Sequence, residues 1–361
     1  MVLNSYIIDV PITSGLEARQ RKAPTGPSNA GATSSKKDAT PRIPRVAALI
    51  AGFTRPSHSL ILAVEEYNSL KVCEILNDQR KVAWLDRNSF CRAIIWAAGR
   101  GEEQVVRLLI EKGADVNTRD IWKSVLHYAS QNGHEQVVRL LIENGADINA
   151  RDKRYHLSSL HLASHNGHER VVRLLIENGA DINARTRETS YQLSSLHLAS
   201  QNGHERVVRL LIENGTDVNA HAATSEQSSL HYASQNGHEQ VVRLLIEKGA
   251  DVNARDIWKS VLHYASQNGH EQVVRLLIQK GADVNTRDTT YGQSSLHYAS
   301  QNGRKQVVRL LIENGADVNA VDKSGRTAEN LAHSQVVQLL RTHRTQNLRT
   351  AEKSQSWRRV R

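Results

Sequence analysis

The chain has 361 residues and is 39% hydrophobic but only 4% aromatic, with a formal net charge of +10. That length accommodates two ordinary domains, the scarcity of aromatics argues against one large aromatic core, and two cysteines, Cys73 and Cys91, exclude a disulfide scaffold. The charge is segregated: residues 1–60 carry net +5 and 321–361 net +6, while 61–320 carry net −1, so a basic groove along the middle is disfavoured and basic ends are favoured.

In chain order, residues 1–56 come first. They hold all six prolines, from Pro11 to Pro56, with the Ser/Thr/Gly/Lys-rich run "PTGPSNAGATSSKKDATPR". So little apolar surface cannot offset chain entropy, and a disordered basic tail is expected. The N-terminus lacks the basic and apolar regions of a secretory leader, and the longest apolar run, Val46 to Ala51, is too short for a bilayer. An intracellular setting follows, cytoplasm and nucleus being equally open. "SLILAVEEYNSLKVCEILND" (59–78) reads as a divergent helix pair, and "CRAIIWAAGRGEEQVVRLLIEKGADVN" (91–117) as the first clear unit of a repeat.

The repeat is anchored by Gly-Ala/Thr-Asp-Val/Ile-Asn, with its glycine at 113, 145, 179, 215, 249, 281 and 315. Spacings of 32 to 36 residues signal a solenoid. Within a unit, Ser124 is a good N-cap, Leu126 and Ala129 give a short helix a small apolar face, and Asn132-Gly133 ends it. A second helix opens at Glu135, its Val138, Leu141 and Ile142 at i, i+3, i+4, and ends at Asn144-Gly145. Glu135, Arg139 and Glu143 are spaced for an ion-pair ladder worth ~0.2–0.5 kcal/mol per pair. One such pair cannot bury its own apolar face, but a stack of copies can. The last partial unit, "SGRTAENLAHSQVVQLLRTH" (324–343), is shortened around its inter-helix turn, and residues 346–361 form a second basic tail.

These residues resemble the ankyrin-repeat family, whose Thr-Pro-Leu-His-x-Ala signature matches Ser124-Val125-Leu126-His127-Tyr128-Ala129 and Ser158-Ser159-Leu160-His161-Leu162-Ala163, with equivalents from Ser194, Ser228, Ser260 and Ser294. The resemblance spans residues 57–345, seven good units between degenerate caps. It implies an all-α repeat solenoid of stacked helix-turn-helix units with β-hairpin fingers. The family's proline is Val or Ser in every copy here, forgoing ~0.4–1 kcal/mol per unit.

Catalysis is disfavoured because an active site is a unique constellation, whereas every candidate acid, base or nucleophile in the helices recurs in about six copies. His127, His161, His197, His231, His263 and His297 form one row; His134, His168, His204, His238 and His270 form another, broken by Arg304. Metal binding or proton relay would need a reason for such regularity, and repeated structural hydrogen bonds are the simpler reading. "HEQVV" lacks the second histidine of a zinc-peptidase motif, and no phosphate-cradling loop appears. Neither cofactor nor metal is expected.

The helices are nearly invariant while the connecting loops differ: "TRDIWKS", "ARDKRYHLS", "ARTRETSYQLS", "AHAATSEQS", "ARDIWKS", "TRDTTYGQS". The resemblance makes these loops the fingers of a concave binding face. Their Trp122, Lys123, Arg154, Tyr155, Arg187, Tyr191, Trp258, Lys259 and Tyr291 are of the types that dominate interface energetics, or else pack finger against finger. The expectation is a monomeric, non-catalytic scaffold for an unidentified protein partner, with no membrane contact and nucleic acid reached only through the tails. A nuclear transcription co-regulator using those tails and a substrate adaptor for a modifying enzyme are the alternatives.

Overall fold

The computed structural model describes residues 56–66, 68–187 and 192–344. Nearly all of both basic tails, and Tyr191, lie outside the described residues. Within them the chain is a row of antiparallel helix pairs without a sheet. Pro56–Glu65 pairs with Ser69–Asn77, and Arg87–Arg100 with Glu103–Glu111. Near-identical pairs follow: Val125–Gln131 with Glu135–Glu143, Ser159–His165 with Glu169–Glu177, Ser195–Gln201 with Glu205–Glu213, Ser229–Asn236 with Glu239–Glu247, Val261–Asn268 with Glu271–Gln279, and Ser295–Gln301 with Lys305–Glu313. The row closes on Ala328–Leu331 and a last helix over 334–344. First helices stack on first helices and second on second. None of these helices is long and apolar enough to cross a membrane.

Local chemistry sets each boundary. Ser124 is extended (φ −81°, ψ 166°), and its backbone N–H donates to His127 Nδ1 at 3.2 Å while the two side chains meet at 2.6 Å. This is a capping box with histidine where Glu or Gln is usual. The first helix ends at Gly133, left-handed at φ +77°, where the His134 N–H returns to the Ala129 carbonyl at 3.0 Å. The second helix opens with Glu135, whose charge suits the positive end of the helix dipole. Arg139 pairs with Glu135 at 3.3 Å and Glu143 takes no part, so the expected ladder shrinks to one Glu–Arg pair within a helix, which Lys305–Glu313 lacks, while Arg170 of the next unit also lies 3.8 Å from Glu135.

Val137, Val138, Leu141, Leu126 and Ala129 are buried in this unit, as are their counterparts in each copy, and the core runs unbroken from Leu60 to Leu340. Repetition makes that core continuous, since each apolar face meets its own likeness. Val336 and Leu340 of the last helix cover the final full unit.

Polar rows bind unit to unit. Asn117 donates its amide to the Gly145 carbonyl at 3.1 Å and accepts from the Asp147 N–H at 2.8 Å; Asn149, Asn219, Asn253 and Asn285 repeat this one unit on. The second histidine row reaches backwards. His168 Nε2 bonds the Gln131 carbonyl at 2.9 Å, His204 that of His165, His238 that of Gln201, and Arg304 Nε does the same to Gln267 at 3.1 Å. Its ring lies where a side chain on the previous unit's turn glycine would be: a Cβ on Gly133 would stand 2.5 Å from His168 Nδ1, whereas one on Gly145 would meet nothing within 4 Å.

Both glycines have positive φ, so alanine at either costs about 1–2 kcal/mol of backbone strain. Gly133→Ala must also push His168 off the Gln131 carbonyl, a further ~1 kcal/mol or more. Chemical denaturation is expected to rank Gly133→Ala as clearly more damaging than Gly145→Ala, and the difference to vanish in a His168→Ala background. Equal losses in the wild-type background would show that the ring does not hold the turn.

Candidate functional site

Four of the six fingers are organised by one aspartate each; "ARTRETSYQLS" and "AHAATSEQS" have none, and in the first of these Thr186 Oγ1 accepts the Leu193 N–H at 2.9 Å instead. Asp120 Oδ1 accepts the N–H groups of Trp122 and Lys123, both at 2.7 Å. Asp152 takes those of Arg154 (2.9 Å) and Tyr155 (2.6 Å), and Asp256 those of Trp258 (2.8 Å) and Lys259 (2.6 Å). Asp288 Oδ1 accepts from Tyr291 at 2.6 Å. Asp152, Asp256, Asp288 and Asp322 are buried, and Tyr128 and Tyr264 donate their hydroxyls to the second oxygens of Asp120 and Asp256. Burial and the neighbouring carboxylate push both phenols well above the ordinary tyrosine range. With its turn folded by a side chain, a finger needs no strand ladder. Several close through one antiparallel bridge, such as Arg119 with Ser124 or Arg255 with Ser260, so the expected hairpins are tight turns.

Adjacent fingers are tied tip to tip. Lys153 N–H donates to the Trp122 carbonyl at 3.1 Å, Arg187 to Tyr155 at 3.0 Å, Thr289 to Trp258 at 3.0 Å, and Lys323 to Tyr291 at 2.8 Å. Arginines at the finger bases add a second row: Arg119 donates to the Arg151 carbonyl, Arg151 to Arg185, Arg185 to His221, Arg255 to Arg287 and Arg287 to Val321. These ties join the fingers from Arg119 to His221 into one group and those from Arg255 to Lys323 into another.

The nine residues singled out from sequence separate by environment. Trp122 is 48% exposed, Trp258 44% and Tyr291 56%, and the adjoining Ile121 is 71% exposed. Tyr155 is half-buried against Leu157, Leu162, Leu193, Leu198, Ala222 and Tyr232, a small cluster beneath the central fingers. Lys123 and Lys259 turn inward: their Nζ atoms donate to Gln131 (2.5 Å) and Gln267 (2.7 Å), and Lys259 lies 3.9 Å from the Tyr298 ring centroid. Burial lowers the pKa of both, partly opposed by the finger aspartates. Arg154 is exposed at the tip, its guanidinium 4.9 Å from the Tyr155 ring centroid and 5.9 Å from that of Trp122. Arg187 is exposed, and Tyr191 lies outside the described residues. The missed partners, Ile121 and Ile257, carried one legible signal: each precedes a tryptophan in an identical "DIWKS".

The first histidine row sits beneath the fingers, fully buried. A backbone N–H donates to each Nδ1, so Nε2 carries the proton, and at His127 it donates to the Leu157 carbonyl of the next unit at 2.9 Å. His197, His263 and His297 do likewise to Ala220, Gln293 and Arg326. Burial depresses the pKa of His127 to about 4 and of His161 and His197 to about 3. Rings held neutral with Nδ1 engaged in every copy, and Nε2 in all but His161 and His231, are structural members, and among the described residues no cluster of side chains is placed to hold a metal.

A family model for ankyrin repeats (3 copies) matches overlapping windows that together run from residue 60 to 350. Among solved structures, the human ASB11 ankyrin repeat domain is similar: 26% identical over 61% of this chain and 98% of that chain, with a TM-score of 0.57. No curated protein matches the chain.

Proposed function

Since the chain belongs to the ankyrin-repeat family, whose repeats mediate protein–protein interaction, we propose that it is a non-catalytic scaffold that binds a partner protein along its finger edge. The observation that carries this reading is the exposure of Ile121, Trp122, Ile257, Trp258 and Tyr291 on finger turns fixed by aspartate side chains and by tip-to-tip backbone bonds. Large apolar groups on a preordered backbone lose little entropy on binding. The helices repeat almost verbatim and offer a partner little to tell one unit from another, whereas the fingers differ. Among the described residues, six of the seven buried histidines recur at one position of the unit, and the seventh, His165, accepts the Asn202 side-chain amide at 2.9 Å; this structural use speaks against catalysis built on them.

Trp122→Ala and Trp258→Ala are each expected to weaken partner binding by ~1–2 kcal/mol or more, with little change in melting temperature. Lys123→Ala and Lys259→Ala should instead lower the melting temperature, because those side chains pack inward. Affinity purification with mass spectrometry, wild type against the double tryptophan variant, identifies the partner, and calorimetry measures the loss. Partners retained unchanged by the double variant would move the contact surface elsewhere.

A further inference from the structure

The charge balance of the fingers differs from that of the helices in a way that net charge conceals. On the second helices most arginines have a glutamate of their own four residues earlier, at 2.8 to 3.3 Å. On four fingers an aspartate takes up backbone N–H groups, and at Asp152, Asp256 and Asp288 that carboxylate is buried. Asp152, 3% exposed, is the case in point: it folds the turn that displays Lys153 and Arg154, and both cations point out. Among the described residues neither makes an ion pair. Arg154 is braced between the Tyr155 and Trp122 rings, which orders the guanidinium before anything binds and leaves its N–H edge open. Ile121 and Trp122 lie on the adjoining finger, tied to this one by the bond from Lys153 N–H to the Trp122 carbonyl.

Resting on the interaction role proposed above, we infer that this part of the edge binds an extended acidic segment of the partner protein, with a carboxylate on Arg154 and an adjacent apolar side chain on Ile121 and Trp122. An isolated cation with ordered donors and a neighbouring apolar surface fits a carboxylate next to a hydrophobic residue. The chain's own tails are both basic and are repelled. A nucleic-acid duplex is disfavoured because residues 61–320 carry net −1, which gives a polyanion no overall positive field along the array.

The molecule contains its own control. Asp256–Lys259 repeats Asp120–Lys123 residue for residue, and Thr289 N–H bonds the Trp258 carbonyl just as Lys153 bonds Trp122. Thr289 and Thr290 stand where the first site has Lys153 and Arg154. The second site therefore has the apolar half of the recognition without the cation.

The test is selection of a displayed random dodecapeptide library on the full-length protein at physiological salt, repeated on Arg154→Glu, Trp122→Ala and Thr289→Lys/Thr290→Arg, with thermal melts confirming each fold. Selected sequences should place Asp or Glu beside an aliphatic or aromatic residue, and synthetic copies should lose on the order of 10- to 100-fold in affinity on Arg154→Glu. Arg154→Lys should recover only part of that, and the threonine replacements should raise affinity for the same peptides. Neutral peptides that ignore Arg154→Glu but are lost on Trp122→Ala would overturn the acidic preference and leave the interaction role standing. Peptides indifferent to every finger change would overturn both. No enrichment at all, or a labelled DNA duplex that binds tightly and depends on Arg154, would overturn the peptide assignment.

Discussion

Acidification from pH 7 to pH 5 is expected to unfold the array. In His127, His161, His197, His231 and His263 the imidazole is buried and neutral, with pKa values of about 4, 3, 3, 4 and 4 against an ordinary 6.5. Burial is the largest cause in each. Nearby positive charge adds to it at His161, from Arg151, and at His197, from Arg185. The hydrogen bonding points the same way: Nδ1 accepts a backbone N–H, and a proton placed there turns the acceptor into a second donor and opens the cap.

The sign follows from which state binds the proton first. The folded pKa is depressed, so between pH 6.5 and about 4 the unfolded chain is protonated and the folded one is not. Stability is unaffected above 6.5 and falls as the pH drops through that window. Each ring contributes a loss of about 2 kcal/mol by pH 5. The five together lose on the order of 10 kcal/mol, the size of a domain's whole stability. Carboxylates act lower: Asp322, held well below its ordinary range by hydrogen bonds from Arg326, Gln293 and Ser324, is lost only in stronger acid. The C-terminal unit supplies the control substitution, since Asn330 there occupies the histidine position and accepts the Thr327 N–H at 2.8 Å. His161→Asn and His231→Asn are the mildest replacements, because the Nε2 atoms of these two rings reach no acceptor at hydrogen-bond geometry. Urea midpoints by circular dichroism should show the double variant less stable than wild type at pH 7 and more stable at pH 5. Parallel curves, or a wild type whose stability is flat from pH 7 to 5, would rule the mechanism out.

The solenoid was legible because its determinants are local and repeated. Ser124 as cap, Gly133 and Gly145 as stops, and the valines and leucines between them are read within one unit, and the period does the rest. What crosses from unit to unit was not legible. Asn117 has its partners at Gly145 and Asp147, and His168 has its own at Gln131, about one period away, where every copy offers the same residues and the sequence cannot say which pair meets. Finger burial was hidden for a related reason. In "RDIWKS" the Asp, Trp and Lys are all short-range neighbours, and only the turn decides that Asp120 faces the backbone, Trp122 faces solvent and Lys123 folds back on Gln131. Tyr155 was read as a finger aromatic, and its half-burial depends on Leu193 and Leu198 from the next unit.

The departure from the family's proline yields the second large effect, a gain. Replacing Ser159, Ser195, Ser229 and Ser295 together with proline is expected to raise the melting temperature substantially. These residues are N1 of their helices, the position proline tolerates best. The preceding serines are extended, with φ from −86° to −92° and ψ from 168° to 171°, the conformation a following proline demands. All four hydroxyls are buried without a hydrogen-bond partner, so the replacement removes a desolvated polar group as well as unfolded-chain entropy. Chain entropy alone contributes ~0.4–1 kcal/mol per site, and the lost orphan hydroxyl about 1 kcal/mol more. The sites lie in different units, so the gains should nearly add. Position 125 is the discriminating control. Val125 N–H donates to the Thr118 carbonyl at 3.0 Å, and Val261 N–H to Ala254 at 3.3 Å, so proline at either forfeits a bond and should give no gain. Calorimetry on the quadruple variant and on Val125→Pro/Val261→Pro separates the two sets. If all six positions respond alike, or the quadruple variant melts below wild type, the pyrrolidine ring does not fit the buried serine sites and the gain is refuted.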